Sequence, residues 1–76
     1  MPFIHIMAYK GRDKETQIKA AEAIVAAAAE TLGAAEELFT VVYEDLEPSD
    51  WQEKVTKAEL DPRRDMVIYA GGKPVV

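Results

Sequence analysis

The sequence contains no cysteine and a single histidine, His5. Without thiols the chain cannot form disulfides or thiolate zinc sites, and no group of carboxylates surrounds His5 at a spacing typical of metal ligands. A chain of 76 residues buries only about 60% of the surface that its unfolded form exposes. Folds of this size gain stability from disulfides, a metal or partner subunits. We therefore expect one domain, residues 1–76, stabilised as a homo-oligomer.

Long apolar runs and an excess of positive charge are also missing. The formal net charge is −5, from 14 acidic and 9 basic residues, and an acidic surface repels nucleic-acid phosphates. No apolar run approaches the roughly 18 residues of a membrane span. The first five residues lack the basic region and apolar stretch of a signal peptide. We expect a soluble cytoplasmic protein that binds neither nucleic acid nor membrane.

The first half of the chain has the pattern of a β-α-β unit. Apolar residues occupy both faces of a predicted strand over residues 3–9. Asp13 is a suitable N-cap for a helix that runs to about Leu32, and Gly33 suits the position that ends it. A second β-rich run covers residues 38–43, so the two strands should be parallel with a right-handed crossover. Five apolar residues recur at helical spacing, with Ile24 and Ala29 beside them: Ile18, Ala21, Val25, Ala28 and Leu32.

The second half predicts a shorter helix and a hairpin. Ser49 or Asp50 can cap the helix, which should end near Asp61 because a proline follows. A short apolar strand is expected over Met66–Tyr69, and the Gly71-Gly72 pair suits a two-residue hairpin turn. The predicted fold class is therefore α+β: a β-α-β unit with parallel strands, a short second helix and a C-terminal β-hairpin.

Several residues resemble those of the 4-oxalocrotonate tautomerase family. Its members share a proline directly after the initiator methionine, a first strand, and a Gly-Arg turn before a long helix, which correspond to Pro2, residues 3–9 and Gly11-Arg12. The segment Pro48-Ser49-Asp50-Trp51-Gln52 resembles a subgroup with a tryptophan here and a second helix in place of the usual hairpin. The founding members are hexamers and members of the subgroup can be dimers, so the resemblance implies a dimer, with a hexamer as the alternative.

The resemblance implies a cofactor-independent tautomerase in which Pro2 is the general base. Its nitrogen would take a proton from a carbon beside a carbonyl of a small 2-oxo acid, or from its enol or dienol, and return it elsewhere. The nitrogen is basic only after Met1 is removed, since it is otherwise a tertiary amide. We expect burial against Phe3 and Trp51, together with the charge of Arg12, to disfavour its ammonium form.

Two further residues receive roles from the resemblance, and each also has a structural interpretation. Arg12 would bind the substrate carboxylate and stabilise enolate-like charge, or it is a solvated turn residue. Trp51 would form an apolar wall of the site, or it packs the second helix. Pro2 itself can be a tolerated second residue without chemistry. We interpret His5 as a structural residue within its strand.

The chain departs from the family at one position. The founding enzymes have a second arginine, donated by a neighbouring subunit, in the middle of the second strand, and Thr40 stands here. A hydroxyl cannot pair with a carboxylate as a guanidinium does, so a dicarboxylate substrate is disfavoured unless Arg63, Arg64 or Lys73 replaces that cation.

Two functions are alternatives to proton transfer by Pro2. One is an enzyme whose Pro2 amine adds to carbonyls to form iminium ions. The other is a non-catalytic small-molecule-binding or assembly protein.

Overall fold

The computed structural model describes all residues from Met1 to Val76 and divides them into two compact units, Met1–Leu46 and Glu47–Val76. The first unit is the predicted β-α-β unit, with strand β1 (Phe3–Tyr9), helix α1 (Lys14–Leu32) and strand β2 (Thr40–Leu46). The strands pair in parallel along their whole length, from Phe3 opposite Thr40 to Tyr9 opposite Leu46. The expectation of a single domain stays a prediction.

Both predicted ends of α1 are confirmed. The Asp13 side chain accepts a hydrogen bond from the Thr16 backbone N–H at 2.8 Å, which satisfies one of the unpaired donors at the helix start. Gly33 adopts the left-handed conformation (φ 70°), and its N–H donates to the Ala29 carbonyl oxygen at 3.0 Å. A side chain at Gly33 would be strained there, because L-residues rarely adopt positive φ.

Helix α1 buries its predicted apolar face only in part, with Ala21, Val25 and Ala28 half-buried. Its two buried residues are Gln17 and Ala29, whereas Ile18 is 52% exposed and Leu32 is 67% exposed. The sheet of this unit has only two strands, and strands lie about 4.8 Å apart while a helix is roughly 10 Å wide. A sheet this narrow covers one side of the helix and leaves the flanks of the apolar stripe exposed.

Strand β2 begins and ends later than predicted. Leu38 belongs to a single 3₁₀ turn, Glu36–Leu38, and the strand continues through Glu44 and Asp45 to Leu46. Thr40 is therefore the first residue of the strand and not a central one. Pairing with β1 explains the extension, since the backbone hydrogen bonds of a parallel ladder are independent of side-chain charge.

The second unit consists of consecutive helical segments and a hairpin. A 3₁₀ turn (Pro48–Asp50) precedes a π-helix (Gln52–Leu60), whose end is marked by the Asp61 N–H donating to the Thr56 carbonyl oxygen. The predicted second helix is thus present, but in a wider helical form that is rare in proteins.

The first strand of the C-terminal hairpin begins later than the predicted Met66–Tyr69. A 3₁₀ segment, Asp61–Met66, follows the π-helix, with its proline in the first turn, where a missing N–H is tolerated. Strand β3 is Tyr69–Ala70, and it pairs with strand β4 (Lys73–Pro74) in antiparallel fashion. The predicted glycine turn is confirmed, because Gly71 and Gly72 both have positive φ, 63° and 81°. No helix in the chain combines the length and apolar character needed to cross a membrane.

Candidate functional site

Pro2 lies at the start of β1, in direct contact with the start of β2. Its carbonyl oxygen accepts a hydrogen bond from the Thr40 N–H at 3.2 Å, which extends the parallel ladder by one residue. Pro2 is half-buried, and Met1, bonded to its nitrogen, is 95% exposed. The neighbouring Phe3 is 65% exposed. The ladder therefore fixes the backbone at Pro2 and leaves the preceding residue accessible.

Arg12 lies beyond the other end of β1, in the turn that leads into α1. Gly11 in this turn has a φ of 133°, which favours glycine. The Lys10 N–H donates to the Leu46 carbonyl oxygen at 2.9 Å, so the turn begins at the last pair of the ladder. The Arg12 side chain is exposed, and its Nη1 donates to the Tyr9 carbonyl oxygen at 3.3 Å.

The structure does not bring Pro2 and Arg12 together within one chain. They flank a strand of seven residues, which at about 3.3 Å per residue is roughly 20 Å long. Exposed charges are screened over about 8 Å at physiological ionic strength. The guanidinium of Arg12 is therefore too distant to affect the Pro2 nitrogen of its own chain.

A buried hydrogen-bond network links the Arg12 turn to α1 and β2. Gln17, only 4% exposed, donates from Nε2 to the Arg12 carbonyl oxygen at 3.0 Å. The same nitrogen lies 3.2 and 3.1 Å from the two carboxylate oxygens of Asp45. We did not expect this network from the sequence. Helical spacing was the signal that could have predicted the burial of Gln17. It lies four residues before Ala21 and therefore on the same face of the helix.

His5 forms a cross-strand hydrogen bond with Glu44, in keeping with a structural role. Its Nε2 lies 2.9 Å from Glu44 Oε1 on β2. Its ring also lies close to that of Phe3, with 6.4 Å between the ring centroids. The side chains of Phe3, His5 and Glu44 lie on one face of the sheet, and those of Ile4 and Val41 lie on the other. Successive residues of a strand alternate between the two faces.

Trp51 belongs to the second unit and is half-buried at the junction of the 3₁₀ turn and the π-helix. Its backbone N–H donates to the Pro48 carbonyl oxygen. This bond closes the turn that directs the chain into the π-helix. Val55, one helical turn later, is the buried apolar residue of that helix, so Trp51 lies at the start of the packed part of the unit.

The carboxyl group of Asp13, next to Arg12, has a shifted pKa. Hydrogen bonds from Thr16, first from its side-chain hydroxyl and then from its backbone N–H, lower the pKa of Asp13 below its ordinary value of 3.8. The helix start favours the same ionised form. No three His, Cys, Asp or Glu side chains are grouped so that they could hold a metal ion.

Comparison with known proteins identifies one family. The family model described as "Tautomerase enzyme" matches residues 2–58, a span that includes Pro2, Arg12 and Trp51 and covers both parallel strands. Searches of curated proteins and of solved structures found no match. The order of elements, the parallel pairing of β1 with β2 and this match agree with the resemblance seen in the sequence, and the chain belongs to the tautomerase family.

Proposed function

We propose that the protein is a cofactor-independent tautomerase of small 2-oxo acids or their enols and dienols, with Pro2 as the general base. The observation that carries this proposal is the family match, which begins at Pro2 itself. Removal of the exposed Met1 converts the Pro2 nitrogen from an amide into a secondary amine. That amine takes a proton from the substrate and returns it to another atom, so that no cofactor is needed.

We propose further that each site combines Pro2 of one subunit with Arg12 of a second. A strand of about 20 Å separates the two residues within one chain, and a carboxylate bound at Arg12 cannot place its reacting carbon at the Pro2 of the same chain. β1 pairs with β2 on one side only. A second β1 running antiparallel along its other edge would bring the start of one strand beside the end of the other.

The exposed apolar surface of the first unit supports this homodimer. An open concavity on α1 is lined almost entirely by apolar groups, from Ile24, Ala27, Ala28, Thr31 and Leu32. A two-stranded sheet is marginally stable without further cover. A dimer therefore completes both the packing and the site, and a hexamer of three such dimers is the alternative.

In this site Arg12 binds the substrate carboxylate and stabilises the negative charge that develops on the enol oxygen. We assign Trp51 to an apolar wall of the site on the family resemblance alone. Pro2 acts as a base and not as an iminium-forming nucleophile, because proton transfer requires only a positioned amine and leaves no covalent intermediate.

The experiment is a tautomerase assay on the mature protein with phenylenolpyruvate and 2-hydroxymuconate, with Pro2→Ala and Arg12→Ala alongside. Pro2→Ala keeps an amine but displaces it on a freely rotating residue, so kcat should fall by roughly 10²–10⁴. Arg12→Ala leaves the base intact and removes a carboxylate partner, so KM should rise, with kcat falling as well if the charge acts in the transition state.

Two controls separate the enzyme from its rivals. Intact mass should show a chain that starts at Pro2. Retention of Met1 throughout, or a wild type without activity, would favour the non-catalytic binding or assembly protein. Equal activity in the wild type and Pro2→Ala would show that Pro2 is not the base. Borohydride trapping of a covalent adduct during turnover would favour the iminium mechanism, because only an iminium intermediate is reduced to a stable amine.

A further inference from the structure

We propose that Gln17, together with Asp45, is a positioning residue that holds the Arg12 turn so that the guanidinium meets the substrate carboxylate. The inference rests on the proposed function of Arg12. It assigns a role to a buried helix residue that does not itself touch substrate.

The turn is held firmly on both sides of Gly11 and Arg12. Before it, the Lys10 N–H is bonded to the Leu46 carbonyl oxygen at 2.9 Å. After it, Asp13 caps α1, and its carbonyl oxygen accepts from the Gln17 N–H at 3.1 Å. Between these points the chain has a glycine, which rotates more freely than any other residue. The orientation of the Arg12 peptide is therefore set by the one side-chain bond that it receives, from Gln17 Nε2.

Gln17 is suited to this task because its amide nitrogen carries two hydrogens. One hydrogen is donated to the Arg12 carbonyl oxygen, 3.0 Å from Nε2. The other is donated to the Asp45 carboxylate, whose oxygens lie 3.1 and 3.2 Å from Nε2. The opposite orientation of the amide would place an oxygen against three acceptor oxygens. Asp45 thus fixes the rotation of the amide, and the amide connects the turn to the end of β2.

The position is not optimised for packing alone. Gln17 Oε1 is buried and has no hydrogen-bond partner, which an apolar side chain of the same length would avoid. Buried unpaired polar atoms are uncommon in folded proteins and call for a reason. The bond to the Arg12 carbonyl oxygen supplies that reason, since no hydrocarbon side chain can make it.

The experiment measures KM and kcat for phenylenolpyruvate in Gln17→Met, Gln17→Lys and the double variant Gln17→Met/Arg12→Ala. Gln17→Met keeps the length and apolar stem of the side chain but removes both N–H donors. KM should then rise roughly ten-fold, which corresponds to the loss of one charge-assisted hydrogen bond between Arg12 and the substrate carboxylate. Gln17→Lys restores a donor to both acceptors, so KM should return to within about three-fold of the wild type. In the Arg12→Ala background, Gln17→Met should add no further increase, because it acts through Arg12.

Thermal unfolding of each variant shows that it is folded under assay conditions. If Gln17→Met does not fold, Asp45→Ala at the exposed end of the network tests the same idea, and KM should rise in the same direction. An unchanged KM in the folded variant, or the same increase with and without Arg12, would overturn the inference. An inactive wild type would instead refute the proposed function, so the two failures are distinguishable.

Discussion

At the scale of single residues, we expect Thr40 to influence substrate choice. It lies at the start of β2, where its N–H holds the Pro2 carbonyl oxygen at 3.2 Å. Its side chain lies on the same sheet face as Phe3, its partner in the ladder. The end of the sheet that carries Pro2 thus also carries the Thr40 hydroxyl, which has no charge to pair with a carboxylate.

This position predicts a preference for monoacids. A second carboxylate that enters the site without a paired cation should cost on the order of 1–3 kcal/mol, or roughly a five- to hundred-fold loss in kcat/KM. We expect kcat/KM for phenylenolpyruvate to exceed that for 2-hydroxymuconate, and Thr40→Arg to narrow the difference. Thr40→Val is the matched control, since it keeps the shape and adds no charge. A strong preference of the wild type for the diacid would mean that another cation, such as Arg63, Arg64 or Lys73, fills this role.

At the scale of elements, the length of β1 separates the two proposed site residues, Pro2 and Arg12, and the cap of α1 holds the Arg12 turn. Both depend on local chemistry: alternating apolar residues form the strand, and Asp13 begins the helix three residues before its partner Thr16. The cap carries an ionisable group whose pKa is lowered in the folded protein. A lowered pKa means that the ionised carboxylate is stabilised by folding.

The cap therefore predicts a pH dependence of stability. The stabilisation by Asp13 is fully present above its unfolded pKa, near 3.8, and is lost as pH falls through the lower folded value. Asp13→Asn also accepts from the Thr16 N–H but does not titrate. We expect the wild type to exceed Asp13→Asn in denaturant midpoint at pH 7, and this advantage to shrink at pH 3. Asp65→Asn, outside the cap, is the control, and an advantage that does not change with pH would contradict the prediction.

At the scale of the whole molecule, the proposed sharing of sites between subunits makes the assembly part of the chemistry. In a two-fold dimer the same surface of each subunit forms the interface. If Arg12 of one subunit lies beside the partner's Pro2, the symmetric pair also forms, and the dimer has two sites. Exposed apolar residues on α1 and the unpaired edge of β1 are consistent with such an arrangement. Stability should then depend on protein concentration.

Subunit mixing tests the shared site. Pro2→Ala and Arg12→Ala are each inactive or weak alone, but equal amounts, unfolded together and refolded, should regain about a quarter of wild-type activity. Half of the dimers are then mixed, and each contains one site with both wild-type residues. Mixing Pro2→Ala with the double variant Pro2→Ala/Arg12→Ala is the control and should regain none. Absence of recovery in the first mixture, with dimers present by sedimentation, would show that Arg12 does not act across the interface.

Much of the fold was predictable because it depends on local signals. The caps at Asp13 and Gly33, the parallel β-α-β order and the turn at Gly71-Gly72 follow from short-range sterics and hydrogen bonding, and the structure confirms them. The family was recognisable for a related reason. Its signature residues, Pro2 and the Gly11-Arg12 turn, lie close together in sequence around one strand.

Other features depend on contacts between distant parts of the chain, and only the tertiary structure decided them. The end of β2 at Leu46 follows from pairing with β1, whose register cannot be read from β2 alone. The hydrogen bond of the Gln17 amide joins it to Asp45, 28 residues away. The separation of Pro2 from Arg12 was implicit in a seven-residue strand, but it acquires meaning only when both residues are placed in space. By itself the sequence determined which residues are available for chemistry, because residue type and local order are local properties. The structure decided which of them meet within one chain, because proximity arises only when distant segments pack together.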